Sequence, residues 1–322
     1  MLRLSPPGSD RLFQGNFFRY CFGGSEANVA VLCSELGLNS AYVTKLPDNR
    51  IGGAAKTELK EYGVDVSRIM TGGGRMGAYY YEKGAGVRPA VCVYDREYSA
   101  FSLSKREEYD WKKILDTADA FHFSGITAAL SDELAAACLD ACKYAKEHGI
   151  KVFCDLNYRS KLWSKEKARD VICKILPCVD VFISSVYQAV DIFELDADLS
   201  DTDAACIEAA KQLTKQFGFE AVALTVRKTY SASKNGFYGM IYKNGGAYFS
   251  RKYETEIVDR VGSGDAFDGA LIYSLLNNEP EQRAVDLASA AAVLKHSVEG
   301  DFLITALKDI EDAVKIGGIT QR

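Results

Sequence analysis

The residues best suited to chemistry lie together in one short run, Asp-Arg-Val-Gly-Ser-Gly-Asp-Ala-Phe-Asp-Gly at 259–269. A β-type segment precedes this run, and an apolar, helix-forming segment follows it. Glycines at 262 and 264 let the backbone bend, so that successive N–H groups point at one spot at a helix N-terminus, which favours an anion. Asp265 lies in the same turn, and an anion site with a base beside it suits phosphoryl transfer. The alternative is a glycine-rich connection with Asp265 as a helix N-cap, because short glycine motifs recur by accident.

Composition narrows the possible partners of this chain. It has 322 residues, 48% of them hydrophobic, and a formal net charge of −5 without a polybasic block, which argues against non-specific nucleic-acid binding. Its apolar runs are shorter than the roughly 18 residues that a membrane span needs. No charged-then-apolar leader is recognisable at the start, so we expect a cytoplasmic protein. The expected partners are therefore small molecules, with neither nucleic acid nor membrane.

Cysteine and histidine give no metal signature. The nine cysteines include no C-x-x-C pair, and the three histidines are far apart in the sequence. Two thiols four residues apart, Cys138 and Cys142, make a poor zinc site on their own. The pattern predicts reduced, mostly buried thiols and no protein metal ligands.

Helix and strand signals alternate along most of the chain. Helical patterns occur at 25–36, where Ser25 is a candidate cap, and at 131–148, 164–176 and 201–217, with β-type runs at 40–45, 150–154, 179–184 and 220–226. This alternation predicts one α/β domain over 1–322, with a doubly wound, mostly parallel sheet flanked by helices.

Two aromatic-rich stretches, at 13–22 and 77–98, interrupt the alternation. They are typical of short antiparallel strands, and we expect a small β-strand lid over the strand ends, formed by about 12–22 and 76–103. If the aromatic face of this lid is exposed, it favours a homo-oligomer formed through the lid.

Motifs along nearly the whole chain resemble, in order, those of the ribokinase-like (PfkB) carbohydrate kinases, and in particular the kinases of 2-keto-3-deoxygluconate. The matching segments are 1–8, 23–28, 46–48, 94–96, 124–127, 155–159, 162–163, 259–269 and 299–302. The resemblance implies a ribokinase-like fold and ATP-dependent phosphorylation, with Mg²⁺, of the terminal hydroxyl of that sugar acid. Asp265 then accepts the proton as the hydroxyl attacks the γ-phosphate in line.

The resemblance also implies where the sugar acid binds. Its carboxylate calls for arginine, whose paired N–H donors match a carboxylate, and Arg96 and Arg159 stand at the corresponding positions. Each could instead be a surface arginine paired with a nearby carboxylate. The other implied sugar-binding residues are Gly23, Gly24, Asn28, Tyr79, Tyr94 and Asp301. Lid packing remains the alternative for the two tyrosines, and a simple loop turn for Asp301.

On the nucleotide side, the resemblance assigns Gly262, Ser263 and Gly264, here called the anion cradle, to the transferring phosphate. It places three further residues near ATP or its phosphates, namely Asn157, Thr225 and Arg227.

Three features depart from the family pattern. Gln188 stands where the family usually has a glutamate linked to Mg²⁺, and a neutral amide cannot replace the charge of a carboxylate on a hard cation. A first strand usually precedes the stretch Met1–Leu4, so we expect an additional N-terminal strand, since a missing central strand would leave ladder groups unpaired. Asp268 adds a carboxylate that the family pattern does not explain.

These departures keep two alternatives open. One is a catalytically weak relative that binds a sugar acid or nucleotide as a sensor. The other is a kinase of a neutral sugar such as fructose, which would leave Arg96 and Arg159 without an anion. A dinucleotide oxidoreductase is disfavoured, because no G-x-G-x-x-G follows an early strand.

Overall fold

The computed structural model describes residues 1–316, which form thirteen strands and eleven α-helices. The strands are β1 (Leu2–Ser5), β2 (Arg19–Phe22), β3 (Thr44–Leu46), β4 (Ile69–Thr71), β5 (Ala78–Glu82), β6 (Val91–Asp95), β7 (Ala120–Ser124), β8 (Lys151–Asp155), β9 (Val181–Ser185), β10 (Ala221–Ser231), β11 (Lys234–Lys243), β12 (Gly246–Phe249) and β13 (Tyr253–Glu256). The helices are α1 (Ser25–Glu35), α2 (Arg50–Glu61), α3 (Trp111–Ile114), α4 (Gly125–Leu130), α5 (Asp132–Glu147), α6 (Lys165–Ile175), α7 (Val186–Phe193), α8 (Thr202–Phe217), α9 (Ser263–Leu276), α10 (Glu281–Lys295) and α11 (Leu307–Ile316).

A seven-stranded sheet in the order β12-β11-β10-β9-β8-β7, with β13 also paired to β11, forms the centre of the molecule. Strands β7 to β10 are parallel, and the pairs that involve β11 are antiparallel. Helices α5 to α8 bury apolar side chains against one face of the sheet, and α1, α9, α10 and α11 against the other. The predicted doubly wound α/β fold is confirmed. Such a sheet places its ligands at the carboxyl ends of the parallel strands.

The edge of this sheet bears on the expected N-terminal strand. Strand β7 has a strand neighbour on one side only among residues 1–316, and β3 and β4 form a separate parallel pair. Leu2–Ser5 does not lie in the central sheet. The additional strand stays a prediction.

Helix starts follow local capping chemistry in some places and not in others. Ser131 caps α5 by accepting from the N–H of Leu134, at the start of the helical pattern predicted for 131–148. The prediction that Ser25 caps α1 is wrong, because Gly24 occupies the N-cap position with φ 146° and no side-chain cap forms. The alternative of Asp265 as an N-cap is also wrong, since Gly262 takes that position, with φ 83°.

The lid is a four-stranded sheet in the order β2-β1-β5-β6. Its central strand β1, antiparallel to β2 and parallel to β5, lies outside the predicted lid segments. Of the stretch predicted as strand at 13–22, Arg19–Phe22 forms β2, whereas residues 13–18 form no ladder. Their rings pack instead, with the Phe18 and Tyr80 ring centres 6.1 Å apart.

A buried ion-pair network anchors this lid to the central layer. Arg3 on β1 donates to Asp259 over 2.6 Å and to Asp301 over 3.0 Å. The hydroxyl of Tyr79 on β5 bonds to both carboxylate oxygens of Asp301. The lid is therefore tied to the chain on both sides of the anion cradle by charge-assisted bonds. Within residues 1–316, each helix is too short or too polar to cross a membrane.

Candidate active site

One cavity of about 530 Å³ lies between the lid and the carboxyl ends of the parallel strands. Its wall contains every residue that the sequence analysis singled out for the site. They are Gly23, Gly24, Asn28, Tyr79, Tyr94, Arg96, Asn157, Arg159, Thr225, Arg227, Gly262, Ser263, Gly264, Asp265 and Asp301. The fold therefore brings segments from the whole chain to one place, while the role of each residue stays a prediction.

The anion cradle forms the N-terminus of α9. The first N–H groups of a helix have no partner within the helix, so they face whatever ligand lies there. Gly262 is required for this turn, because a Cβ at that position would lie 2.2 Å from the backbone oxygen of Asp301. A Cβ on Gly264 would meet nothing within 4 Å.

Asp265 projects from the first turn of α9 and is 9% exposed. The hydroxyl of Ser25 donates to its Oδ1 over 2.7 Å, and Nδ2 of Asn28 donates to its Oδ2 over 2.6 Å. Burial raises the pKa of Asp265 to about 6, while these two hydrogen bonds and the charge of Arg159 act to lower it. At neutral pH the side chain is an ionised, oriented acceptor, which suits a general base.

Two further carboxylates line the cavity close to Asp265. Asp155 at the end of β8 and Asp268 on α9 each bring an oxygen atom within 4.8 Å of the other two carboxylates. Burial, followed by the charge of Asp265, raises the pKa of Asp155 to about 7. Burial and the charge of Asp155 raise the pKa of Asp268 as well. Sequence reasoning noticed Asp268 without explaining it, because nothing local pairs it with Asp155.

Arg96 and Arg159 line the same cavity without an anionic partner. Neither guanidinium forms a salt bridge to any residue in 1–316, so the alternative of a surface arginine paired with a carboxylate does not describe them. Arg96 stacks on Tyr94, with its guanidinium carbon 4.3 Å from the ring centre. Burial acts to lower the pKa of Arg96, and the positive charge of Arg159 adds to this effect. An incoming anion would relieve this repulsion.

A second cationic group lies at the cradle. Arg227 donates to the hydroxyl of Ser263 over 2.8 Å, and its Nε atom is buried without a partner among the described residues. Burial, then the charges of Arg260 and Arg159, lower the pKa of Arg227 to about 10. Arg260 also lines the cavity and was missed by the sequence analysis, although it stands beside the cradle. This concentration of positive charge suits a polyphosphate.

Asn157 and Thr225, which also line the cavity, form hydrogen bonds to other residues of the chain. Nδ2 of Asn157 donates to the hydroxyl of Ser25 over 3.0 Å, and the hydroxyl of Thr225 donates to the backbone oxygen of Ser184 over 3.4 Å. Asn157 has a left-handed backbone conformation, with φ 35°. Both residues therefore shape the wall of the cavity.

Asp301 is 3% exposed, and its carboxylate is occupied by Arg3 and Tyr79. Gly23 packs against it so closely that a Cβ there would lie 2.0 Å from Oδ2 of Asp301. A simple loop turn therefore does not account for Asp301, because its carboxylate binds Arg3 and Tyr79 and so anchors the lid. The sequence analysis also missed Glu26 on α1, whose Oε1 accepts from the hydroxyls of Ser124 and Thr127 and so joins α1 to β7 and α4.

Both the nitrogen and the oxygen of the Gln188 side-chain amide form hydrogen bonds to the backbone of Tyr158. Its Nε2 donates to the carbonyl of Tyr158 over 3.2 Å, and its Oε1 accepts from the N–H of Tyr158 over 3.3 Å. A glutamate could not make the first bond. Gln188 therefore fits as a loop clamp and does not fit as an Mg²⁺ ligand, and we assign no side chain as a ligand of that ion.

The fold and the site together are those of a carbohydrate kinase. The chain belongs to the pfkB family of carbohydrate kinases, whose profile matches residues 5–303. A 2-dehydro-3-deoxygalactonokinase of Haloferax volcanii is 35% identical over 98% of this chain and 95% of its own length. The crystal structure of 2-dehydro-3-deoxygluconokinase from Thermotoga maritima has a TM-score of 0.95 and 44% identity, covering 98% of this chain and 95% of that chain.

A more distant structure shows the fold alone. It is an Escherichia coli protein in complex with ATP and Mg²⁺, with a TM-score of 0.81 and 18% identity, covering 98% of this chain and 96% of that chain.

Proposed function

We propose that this kinase transfers the γ-phosphoryl group of ATP to the terminal hydroxyl of a 2-keto-3-deoxy sugar acid such as 2-keto-3-deoxygluconate. The observation that carries the substrate class is the pair Arg96 and Arg159, two guanidinium groups that form no salt bridge within residues 1–316 and line the cavity that also holds Asp265. A neutral sugar would leave both cations without an anion, and Arg96 is only 9% exposed, which makes an unpaired charge there costly. The names of the Haloferax and Thermotoga relatives support the same class.

In this proposal Asp265 takes the proton of the attacking hydroxyl. The oxygen of that hydroxyl forms a bond to the γ-phosphorus, while the bond from phosphorus to the β–γ bridging oxygen breaks and ADP leaves. The N–H groups of the cradle and Arg227 stabilise the negative charge on the phosphoryl oxygens. The hydrogen bonds from Ser25 and Asn28 hold the carboxylate of Asp265 in place. Bound to the phosphates of ATP, Mg²⁺ would offset part of the charge on the phosphoryl oxygens, and no side chain in residues 1–316 is assigned as its ligand.

A coupled assay of ADP release over a panel of sugar acids and neutral sugars, with and without Mg²⁺, tests the proposal. We expect turnover on 2-keto-3-deoxy acids alone. A preference for a neutral hexose would favour the fructokinase-like alternative, and calorimetric binding without turnover would favour a sensor. Asp265→Asn is the internal control, with ATP binding retained and kcat lowered by about 10² to 10⁴. Near-normal kcat in this variant would remove Asp265 from the mechanism.

The location and assembly of the protein stay proposals too. We propose a cytoplasmic enzyme that self-associates through the lid, where Phe17 and Tyr20 are 64% and 67% exposed. Exposed aromatic side chains on one face favour association. Sedimentation of the wild type and of Tyr20→Glu compares the masses, and a monomeric wild type would contradict the proposal.

A further inference from the structure

We propose that Asp155 and Asp268 hold one proton between their carboxyl groups, and that this pair is a positioning device for the base Asp265. The inference deepens the proposed function and rests on it, because Asp265 is the group that the pair serves. Asp268 lines the cavity and serves as a positioning residue, because it acts on Asp265 only through its neighbours.

The geometry of the pair calls for a proton. Asp268 is 2% exposed and Asp155 8% exposed, and their oxygens belong to the cluster within 4.8 Å. Oδ2 of Asp268 is buried and has no hydrogen-bond partner among residues 1–316. Two ionised carboxylates this close in a buried site repel each other strongly. One shared proton replaces that repulsion by a charge-assisted hydrogen bond and gives the orphaned oxygen a partner.

The surroundings supply no other compensation for Asp268. The titratable groups that face the pair are Cys154 on β8, Asp265 on α9, Glu26 and Cys33 on α1, and Arg159 after β8. Arg159 is the one cation in this set, and its charge acts on Asp155 and Asp265. No salt bridge involves Asp268 within residues 1–316. Burial raises its pKa, in agreement with the protonated state.

Hydrogen bonds made by Asn157 and Ser25 connect Asp155 to the base Asp265. Oδ1 of Asp155 accepts from the N–H of Asn157 over 3.0 Å. Nδ2 of Asn157 donates to Ser25 over 3.0 Å, and the Ser25 hydroxyl donates to Asp265 over 2.7 Å. Asn157 has φ 35°, so its backbone needs a fixed partner to hold this conformation. Asp155 is that partner, and its own orientation depends on the bond with Asp268.

Two substitutions of Asp268 test whether its carboxyl group donates a hydrogen bond to Asp155 or only fills space. Asp268→Ala removes the donor, and we expect kcat to fall at least tenfold. Asp268→Asn supplies a permanent N–H donor to Asp155 and is expected to restore most of that loss. In the wild type, kcat should decline at alkaline pH as the pair loses its proton. This alkaline decline should be absent in Asp268→Asn, because its amide does not titrate.

A measurement without turnover keeps this inference separate from the proposed function. The infrared spectrum of the wild type at pH 7 should contain a protonated carboxyl band that Asp268→Asn lacks. The proposal is overturned if that band is absent, if Asp268→Asn loses as much kcat as Asp268→Ala, or if the alkaline decline persists in Asp268→Asn. It is also overturned if calorimetry with Mg²⁺ alone finds binding that Asp268→Asn abolishes, since the cluster would then be a cation site. If Asp265→Asn keeps full turnover and the wild type shows the band, Asp265 is not the base, but the proton shared by Asp155 and Asp268 is still supported.

Discussion

The hydroxyl of Ser25 donates a 2.7 Å hydrogen bond to Oδ1 of Asp265 and joins the start of α1 to the first turn of α9. This bond favours the carboxylate, so it opposes the burial that raises the pKa of Asp265 to about 6. The ionised form is the base, and kcat/KM should therefore fall as the pH drops through about 6.

Ser25→Ala removes the hydrogen bond that stabilises the ionised form of Asp265. The pKa of Asp265 should rise, and the acid limb of the pH profile of kcat/KM should move to higher pH by about one unit. Ser131→Ala, at the N-cap of α5, removes a serine hydroxyl outside the cavity and should leave the limb in place. An unchanged limb in Ser25→Ala would show that this bond does not set the pKa of the base.

The two glycines of the cradle should differ sharply in tolerance. Gly262 has φ 83° and its Cβ would lie 2.2 Å from a backbone oxygen, whereas a Cβ on Gly264 meets nothing within 4 Å. Gly262→Ala should lower the free energy of unfolding by about 2 kcal/mol or more, because left-handed strain and the contact add. Gly264→Ala, inside α9, should leave it unchanged or raise it by up to about 1 kcal/mol. Urea unfolding measures both, and equal losses would contradict the assigned geometry.

Arg159 should determine the preference for an acid over a neutral sugar. A charge-assisted hydrogen bond contributes about 1.5 to 3 kcal/mol, so Arg159→Ala should raise KM for the sugar acid by roughly 10- to 150-fold. The KM for a neutral sugar analogue should change little. Arg75→Ala is the matched control, since Arg75 is already paired with Asp95. An equal loss for acid and neutral substrates would assign Arg159 to the fold rather than to recognition.

Gln188→Glu tests the clamp on Tyr158. The family pattern alone suggests that a glutamate would improve catalysis, whereas the structure predicts a loss. The carboxylate cannot donate to the carbonyl of Tyr158, so we expect about 1 kcal/mol lower stability and no gain in kcat. Gln212→Glu is the control, because Gln212 makes the same pair of hydrogen bonds to the backbone of Asp196, outside the cavity. It should lower stability without changing KM for ATP, and a rise in kcat for Gln188→Glu would overturn this view.

Local sequence determined much of the scaffold of this protein. The cap at Ser131, the glycine at 262 and the apolar runs of β8 to β10 were predictable, because each depends on neighbours a few residues away. The cavity residues were found mainly through the family resemblance. Chemistry alone gave only the cradle with Asp265.

The sequence missed contacts that join distant segments. Ser25 resembles a helix cap and instead bonds to a carboxylate 240 positions away, and Arg3 crosses from the lid to Asp259. Spacing along the chain carries no information about such distances. The central position of β1 in the lid was missed for the same reason, since a four-residue strand has no pattern of its own.

The sequence by itself therefore fixed which chemical groups this protein has and which local turns and helices present them. The three-dimensional fold brought Asp155, Asp265 and Asp268 together in one buried place and left two arginines at the cavity without a salt bridge to any residue in 1–316. Burial and charge–charge energies depend on distances through the folded molecule, so the raised pKa values of these three carboxyl groups arise only when β8 and α9 have packed together.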